Sequence, residues 1–146
     1  MSPKNALRIA PTALLTDAGP LVALTLPSER RHLDCLLTLR RLRRRMVTTW
    51  PALTEAMYLV YRGRGWAGQE ALWTLVARGD LSVLDIESPY RAAELMAHYR
   101  DTPMDLADAT LVAAAEQDGY REIFSLDSDF YVYRLSTGRA LEIVPG

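Results

Sequence analysis

Six carboxylates in this chain stand where side chains do chemistry rather than packing. Asp17 closes the apolar run ALLTD and is followed by Gly19-Pro20. Asp127 closes EIFSLD, with Ser125 two residues before it and Asp129 two after. Glu55 stands among apolar neighbours in TTWPALTEAMYLV. Asp105 and Asp108 are three apart in MDLADATLVAAAEQDG, a spacing that places them on one helical face. Each acid also has a plain structural use. Asp17 suits a helix N-cap, Asp105 and Asp108 suit a first helical turn facing the dipole, Asp127 and Asp129 suit a turn, and Glu55 suits a solvated face. Together they point further, because carboxylates gathered on one edge repel one another unless a cation lies between them. The natural cation is hard and oxygen-seeking, Mg²⁺ or Mn²⁺, one ion or two. Only two histidines, His32 and His98, and one cysteine, Cys35, are present, too few for a zinc site.

The elements that must position these acids alternate. Strands are expected at ALLTD (13–17), MVTT (46–49), LSVLDI (81–86), EIFSLD (122–127) and ALEIV (140–144). Between them lie helical segments: one opening at Pro20, one from Ser28 to about Arg45, one from Pro51 stopped at Gly63 and Gly65, and WAGQEALWTLVAR. Two more follow, one from Ser88-Pro89 to about Tyr99 and MDLADATLVAAAEQDG (104–119). Strands separated by helices predict a single three-layer α/β/α domain with a mostly parallel sheet of about five strands, covered on both faces. Residues 1–12 read as a leading tail and the start of the first strand. In such sheets functional groups collect at the carboxyl ends of the strands, where Asp17 and Asp127 fall.

Composition narrows the class. At 146 residues the chain is one domain with a proper core. Its 49% apolar and 24% charged residues are ordinary for a globular protein, and no apolar run approaches a membrane span. The start lacks an apolar signal region, and a single cysteine suits a reducing compartment, so a cytoplasmic protein is expected. Lys4 is the only lysine, which removes phosphotransfer and phosphatase schemes that need a late-strand lysine.

The ordered set LLTDAGPLVAL, TEA, MDLADATLVAAAE and IFSLDSDFYVY, from about Leu14 to Val144, resembles the PIN-domain ribonucleases, and most nearly the VapC toxins of VapBC toxin–antitoxin pairs. The resemblance implies a PIN-like fold with Asp17, Glu55, Asp108 and Asp127 as catalytic metal-binding acids, supported by Asp105, Ser125 and Asp129. It implies metal-assisted hydrolysis of RNA that leaves a 5′-phosphate and a 3′-hydroxyl, and a small DNA-binding antitoxin as partner. Many relatives carry Thr or Ser directly after the first acid. Here Ala18 stands there, so an orienting hydroxyl must come from Thr16 or Ser125. A catalytically silent PIN-like binding module and a DNA-directed PIN-like nuclease are the competing readings.

Two further features invite partners. Arg30, Arg31, Arg40, Arg41, Arg43, Arg44 and Arg45 crowd into sixteen positions. Arg40, Arg41, Arg43, Arg44 and Arg45 are candidate contacts to RNA phosphates, or simply a solvated helix end. Leu33, Cys35, Leu36, Leu37, Leu39 and Leu42 cover more than half of the second helix's circumference. That breadth fits a helix packed on two sides, or a homodimer or antitoxin face. Tyr131, Tyr133 and Arg134 are placed beside the mouth of the site.

Overall fold

A computed structural model describes residues 12–145. Five strands form one sheet: β1 (Leu14–Thr16), β2 (Met46–Thr49), β3 (Leu81–Leu84), β4 (Glu122–Phe124) and β5 (Glu142–Val144). Their spatial order is β3-β2-β1-β4-β5, and all four ladders are parallel. The chain therefore builds outward from β1 to β3, returns across the sheet, and builds outward again through β4. The order reverses between β1 and β4, which opens a crevice at their carboxyl ends.

The three-residue strand β1 shows why the sheet is buried on both sides. Successive side chains point to opposite faces. Leu14, Met46, Leu81 and Phe124 join one core. Leu15, Val47 and Ile123 join the other. Helices α1 (Ala18–Thr25), α2 (His32–Leu42), α3 (Trp50–Arg64) and α4 (Trp66–Ala77) cover the first face, while α5 (Pro89–His98) and α6 (Leu106–Asp118) cover the second. Helix α6 is so enclosed that every residue from Ala107 to Ala115 is buried, which explains its run of alanines. The three-layer α/β/α expectation is met.

Several boundaries differ from the sequence reading. Helix α2 begins at His32 rather than Ser28, because residues 27–31 close turns, with the Glu29 and His32 amides donating to Leu26 O and Glu29 O. It ends at Leu42 because Arg43 turns left-handed, at φ 51°, and donates to Leu39 O. Helix α3 runs through Gly63 to Arg64, and Gly65, at φ 63°, ends it. Gly63 instead allows close approach: a Cβ there would sit 2.8 Å from Leu26 Cδ1. The terminal tail expected over 1–12 lies, apart from Thr12, outside the described residues, as does Lys4. Among the described residues no helix is long and apolar enough to cross a membrane.

The α3–α4 hairpin carries Glu55 and depends on a small residue. A Cβ on Gly68 would stand 2.8 Å from the Val60 carbonyl oxygen and 3.0 Å from Val60 Cβ. Backbone cannot yield as a side-chain tip can. Gly68→Ala is therefore expected to lose about 1–3 kcal/mol despite alanine's better helix propensity, read as a lowered urea midpoint at unchanged slope.

Candidate functional site

Asp17 follows β1 directly, and its backbone amide donates to Phe124 O of β4. It caps α1: its Oδ1 accepts the Ala18 N–H at 2.8 Å. Its Oδ2 accepts the Ser125 hydroxyl at 2.9 Å. Ser125 Oγ in turn accepts the Asp127 N–H at 3.0 Å, so one buried hydroxyl ties the acid after β1 to the acid after β4. The hydroxyl that Ala18 cannot supply comes from Ser125. Thr16 is turned away, donating to Leu14 O at 2.8 Å.

Asp127 Oδ1 accepts the Asp129 N–H at 2.9 Å and opens a single 3₁₀ turn, Ser128–Tyr131. Asp129 thus holds Asp127 through its backbone, and its side chain does not line the pocket. Across the crevice Asp105 caps α6 and Asp108 sits in its first turn. The Asp108 N–H donates to Asp105 Oδ1 at 2.8 Å, and the Asp105 N–H reaches Asp108 Oδ2 at 3.5 Å. Glu55 projects from the second turn of α3.

Asp17, Glu55, Asp105, Asp108 and Asp127 together line one cavity of about 380 Å³. That is room for roughly ten waters, or for a hydrated ion beside a phosphate. No basic side chain lines it. The electrostatic consequence is large. Burial, with Asp127 and Asp105 adding to it, pushes the Asp17 carboxyl up from 3.8 to about 6. Burial, followed by the charges of Asp105 and Asp17, pushes Asp108 up to about 7. Glu55 is raised in the same sense, by burial first and then by Asp105, Asp17 and Asp127.

One participant has a role the sequence did not show. Tyr133, 2% exposed, donates its hydroxyl to Asp108 Oδ2 at 3.2 Å. Its phenol is held far above its ordinary value by burial and then by Asp108, so it remains a donor. Its edge-on stacking on Phe130 and Tyr99 fixes the ring. The sequence reading set Tyr133 near the mouth, and only its spacing from Phe130 hints that it turns inward.

The arginines are not brought to this cavity. Arg43, Arg44 and Arg45 precede β2 and so lie at the amino ends of the strands, the opposite edge from the acids. Arg44 binds Glu122 Oε1 at 2.9 Å, and its guanidinium donates to Thr12 O and Ala13 O. It fastens the back of the sheet. Arg40, Arg43 and Arg45 share a depression there with Asp80. On α2 only Cys35 and Thr38 are fully buried, and Leu33 and Leu37 are largely exposed, so the helix is packed on one side. His98 is exposed, whereas His32 is half-buried with Nδ1 2.7 Å from Ala23 O.

Whether these oxygens suit a cation follows from their chemistry. Among the described residues no three His, Cys, Asp or Glu side chains converge into a ready-made coordination set. The caps explain the spacing, since at least one oxygen of Asp17, Asp105, Asp108 and Asp127 is engaged by a local N–H. The remaining side-chain donors are carboxylate oxygens, with the Ser128 hydroxyl beside them, around an open cavity. Such a set fits an ion that binds through one or two carboxylates and keeps most of its waters, as Mg²⁺ does.

A reversing parallel sheet with acids after β1 and β4, and two more at the start of α6, defines a class. The PIN domain family model matches residues 14–135, and the chain belongs to that family. A solved structure with the same fold is VapC20 of Mycobacterium tuberculosis, described as a sarcin–ricin loop cleaving toxin. The TM-score is 0.75 at 18% identity, over 82% of this chain and 94% of that one. No curated protein matches the chain in sequence.

Proposed function

We propose that this protein is a metal-dependent endoribonuclease, the toxin half of a toxin–antitoxin pair, with Asp17, Glu55, Asp108 and Asp127 as its catalytic, metal-binding acids. The observation that carries this reading is the shared cavity. Five carboxylates line it without a basic partner, and burial, with the charges of neighbouring acids adding to it, pushes two of them toward neutrality. Mg²⁺ or Mn²⁺, one ion or two, supplies the missing charge; when bound, such an ion acidifies an attacking water and offsets charge on the scissile phosphate.

The chain's own residues prepare that chemistry. Ser125 holds the Asp17 carboxylate and the Asp127 backbone in one frame, so both strand ends move together. Tyr133 orients Asp108 by donating to one oxygen. Asp105 caps α6 and adds negative charge beside Asp108 and Glu55. Ser128 is the only serine lining the cavity, and no histidine or cysteine lines it. Hydrolysis by water follows, giving 5′-phosphate and 3′-hydroxyl ends. A small DNA-binding antitoxin, a homodimeric assembly and a cytoplasmic setting belong to the same reading.

The ends of the products test it. RNA cut by the purified protein should carry 5′-phosphates that a 5′-phosphate-dependent exonuclease can digest. Cyclic 2′,3′-phosphates would mean attack by the ribose hydroxyl and would overturn this mechanism. Cleavage of DNA with equal efficiency would favour the DNA-directed alternative.

Ser125→Ala is the informative change around the acids. It removes the donor from Asp17 Oδ2 and the acceptor from the Asp127 N–H together. Losses of about 10–100-fold in kcat are expected for such orienting partners, with cooperative unfolding retained. An unchanged kcat would remove Ser125 from the site.

A further inference from the structure

A second depression, about 320 Å³, opens on the same edge of the sheet as the carboxylate cavity. Its walls include Trp50, the first residue of α3, Ile86 beyond β3, Pro89 at the start of α5, and Leu106, the first residue of α6. Two elements are shared with the carboxylate cavity. Leu106 directly follows Asp105, and Trp50 lies on the helix that carries Glu55. From this placement we propose that the depression is a subsite for one unpaired nucleobase of the RNA substrate, adjacent to the nucleotide being cut. The inference rests on the nuclease reading and adds the residues that select a base.

The walls define the ligand's chemistry. Trp50 and Leu106 are 49% and 51% exposed, large apolar surfaces left in water. The indole is nonetheless fixed, because its N–H donates to Asp85 Oδ1 at 3.1 Å. A half-exposed but oriented aromatic ring is a stacking platform, and any base has a face to offer it. No lysine or arginine lines the depression, so it is no phosphate site.

Its polar groups accept rather than donate. Thr49 and Thr110 are buried, with hydroxyl oxygens 2.7 Å apart. Thr110 gives its proton to Ala107 O at 2.9 Å, so Thr49 must be the donor between the two. Neither hydroxyl has a proton left for a ligand. Asp85 keeps its second oxygen for an incoming donor. The fitting ligand is flat, uncharged and rich in edge donors, which describes a base bearing an exocyclic amine better than uracil.

The test uses full-length protein and short single-stranded RNAs that differ in one base beside the cut. Trp50→Ala is expected to raise KM roughly 5- to 100-fold, the range for losing one base–aromatic stack, with kcat affected far less. Trp50→Phe should recover most of the loss, and Trp73→Ala, on α4 away from this edge, should cleave as the wild type does. Asp85→Asn should flatten the preference for amine-bearing bases. The same RNAs bound to Asp108→Asn protein, with and without Trp50→Ala, give a readout independent of cleavage. At least fivefold weaker binding with the Trp50 change is expected even if the wild type cuts nothing, an outcome that would sink the nuclease reading instead. Equal KM, equal binding and an unaltered base preference would overturn the subsite. So would normal RNA handling accompanied by loss of self-association, which would assign the depression to a second copy of the chain.

Discussion

Asp108→Asn should abolish RNA cleavage and yet make the protein more stable at pH 8. The first effect follows from replacing a carboxylate proposed to bind the metal by a neutral amide in the acid cluster, with losses on the order of 10²–10³-fold or more expected. The second follows from the carboxyl's pKa, raised from 3.8 to about 7 in the fold. A group whose folded pKa is raised favours the fold while it is protonated. Its contribution is complete below about pH 4, declines as pH rises toward 7, and is gone above that. At pH 8 the wild type therefore carries the cost of an ionised, half-paired Asp108, and asparagine does not. Asparagine keeps an oxygen for the Tyr133 hydroxyl and for the Asp105 amide. The expected gain is about 1–4 kcal/mol, or roughly 3–10 °C in Tm, measured in EDTA at pH 8. At pH 5 the two proteins should melt within about 2 °C of each other. A variant that melts lower than the wild type at pH 8 would show that Asp108 is a structural cap first.

Binding of Mn²⁺ should be coupled to proton release, with an effect nearly as large. Asp17, raised to about 6, and Asp108, raised to about 7, both hold protons at pH 5 and lose them by pH 8. Ligands must be deprotonated to bind a metal. At pH 8 an excess of Mn²⁺ should raise stability by about 3 kcal/mol at a hundredfold over its Kd, and EDTA should reverse it. At pH 5 the same concentration should do little. Without metal the sign is opposite to that of ordinary salt-bridged acids, because stability falls as pH rises through 6 and 7. Equal thermal shifts at both pH values would place the ion elsewhere than at Asp17 and Asp108.

Much of the architecture was legible because its signals are local. MVTT and β2 coincide, and Gly65 and Gly119 mark real helix boundaries, whereas Gly19-Pro20 lies inside the first turn of α1, which opens at Ala18 rather than Pro20. Asp17 illustrates how two readings merge. It is both an N-cap and a member of the cavity, so the structural use and the chemical one were never exclusive. What escaped depends on which edge of the sheet a loop leaves from. Residues just after parallel strands share one edge, and residues just before them share the other. That rule places Asp17 and Asp127 together, and it equally sends Arg43, Arg44 and Arg45 to the back, where Arg44 meets Glu122. Tyr133 was placed near the site without its bond to Asp108, since an inward turn after a 3₁₀ segment leaves no periodicity to read. The Thr49–Thr110 pair was invisible for a related reason: it joins residues 61 positions apart through tertiary packing alone.

Hydrolysis of RNA by these acids through a bound divalent ion is tested by RNA cleavage with wild-type and Asp108→Asn proteins, prepared identically, in Mn²⁺, in Mg²⁺ and in EDTA. Cutting by the wild type alone, present with metal and absent with EDTA, is the expected result. Equal cutting by both proteins, or cutting that survives EDTA, would contradict it.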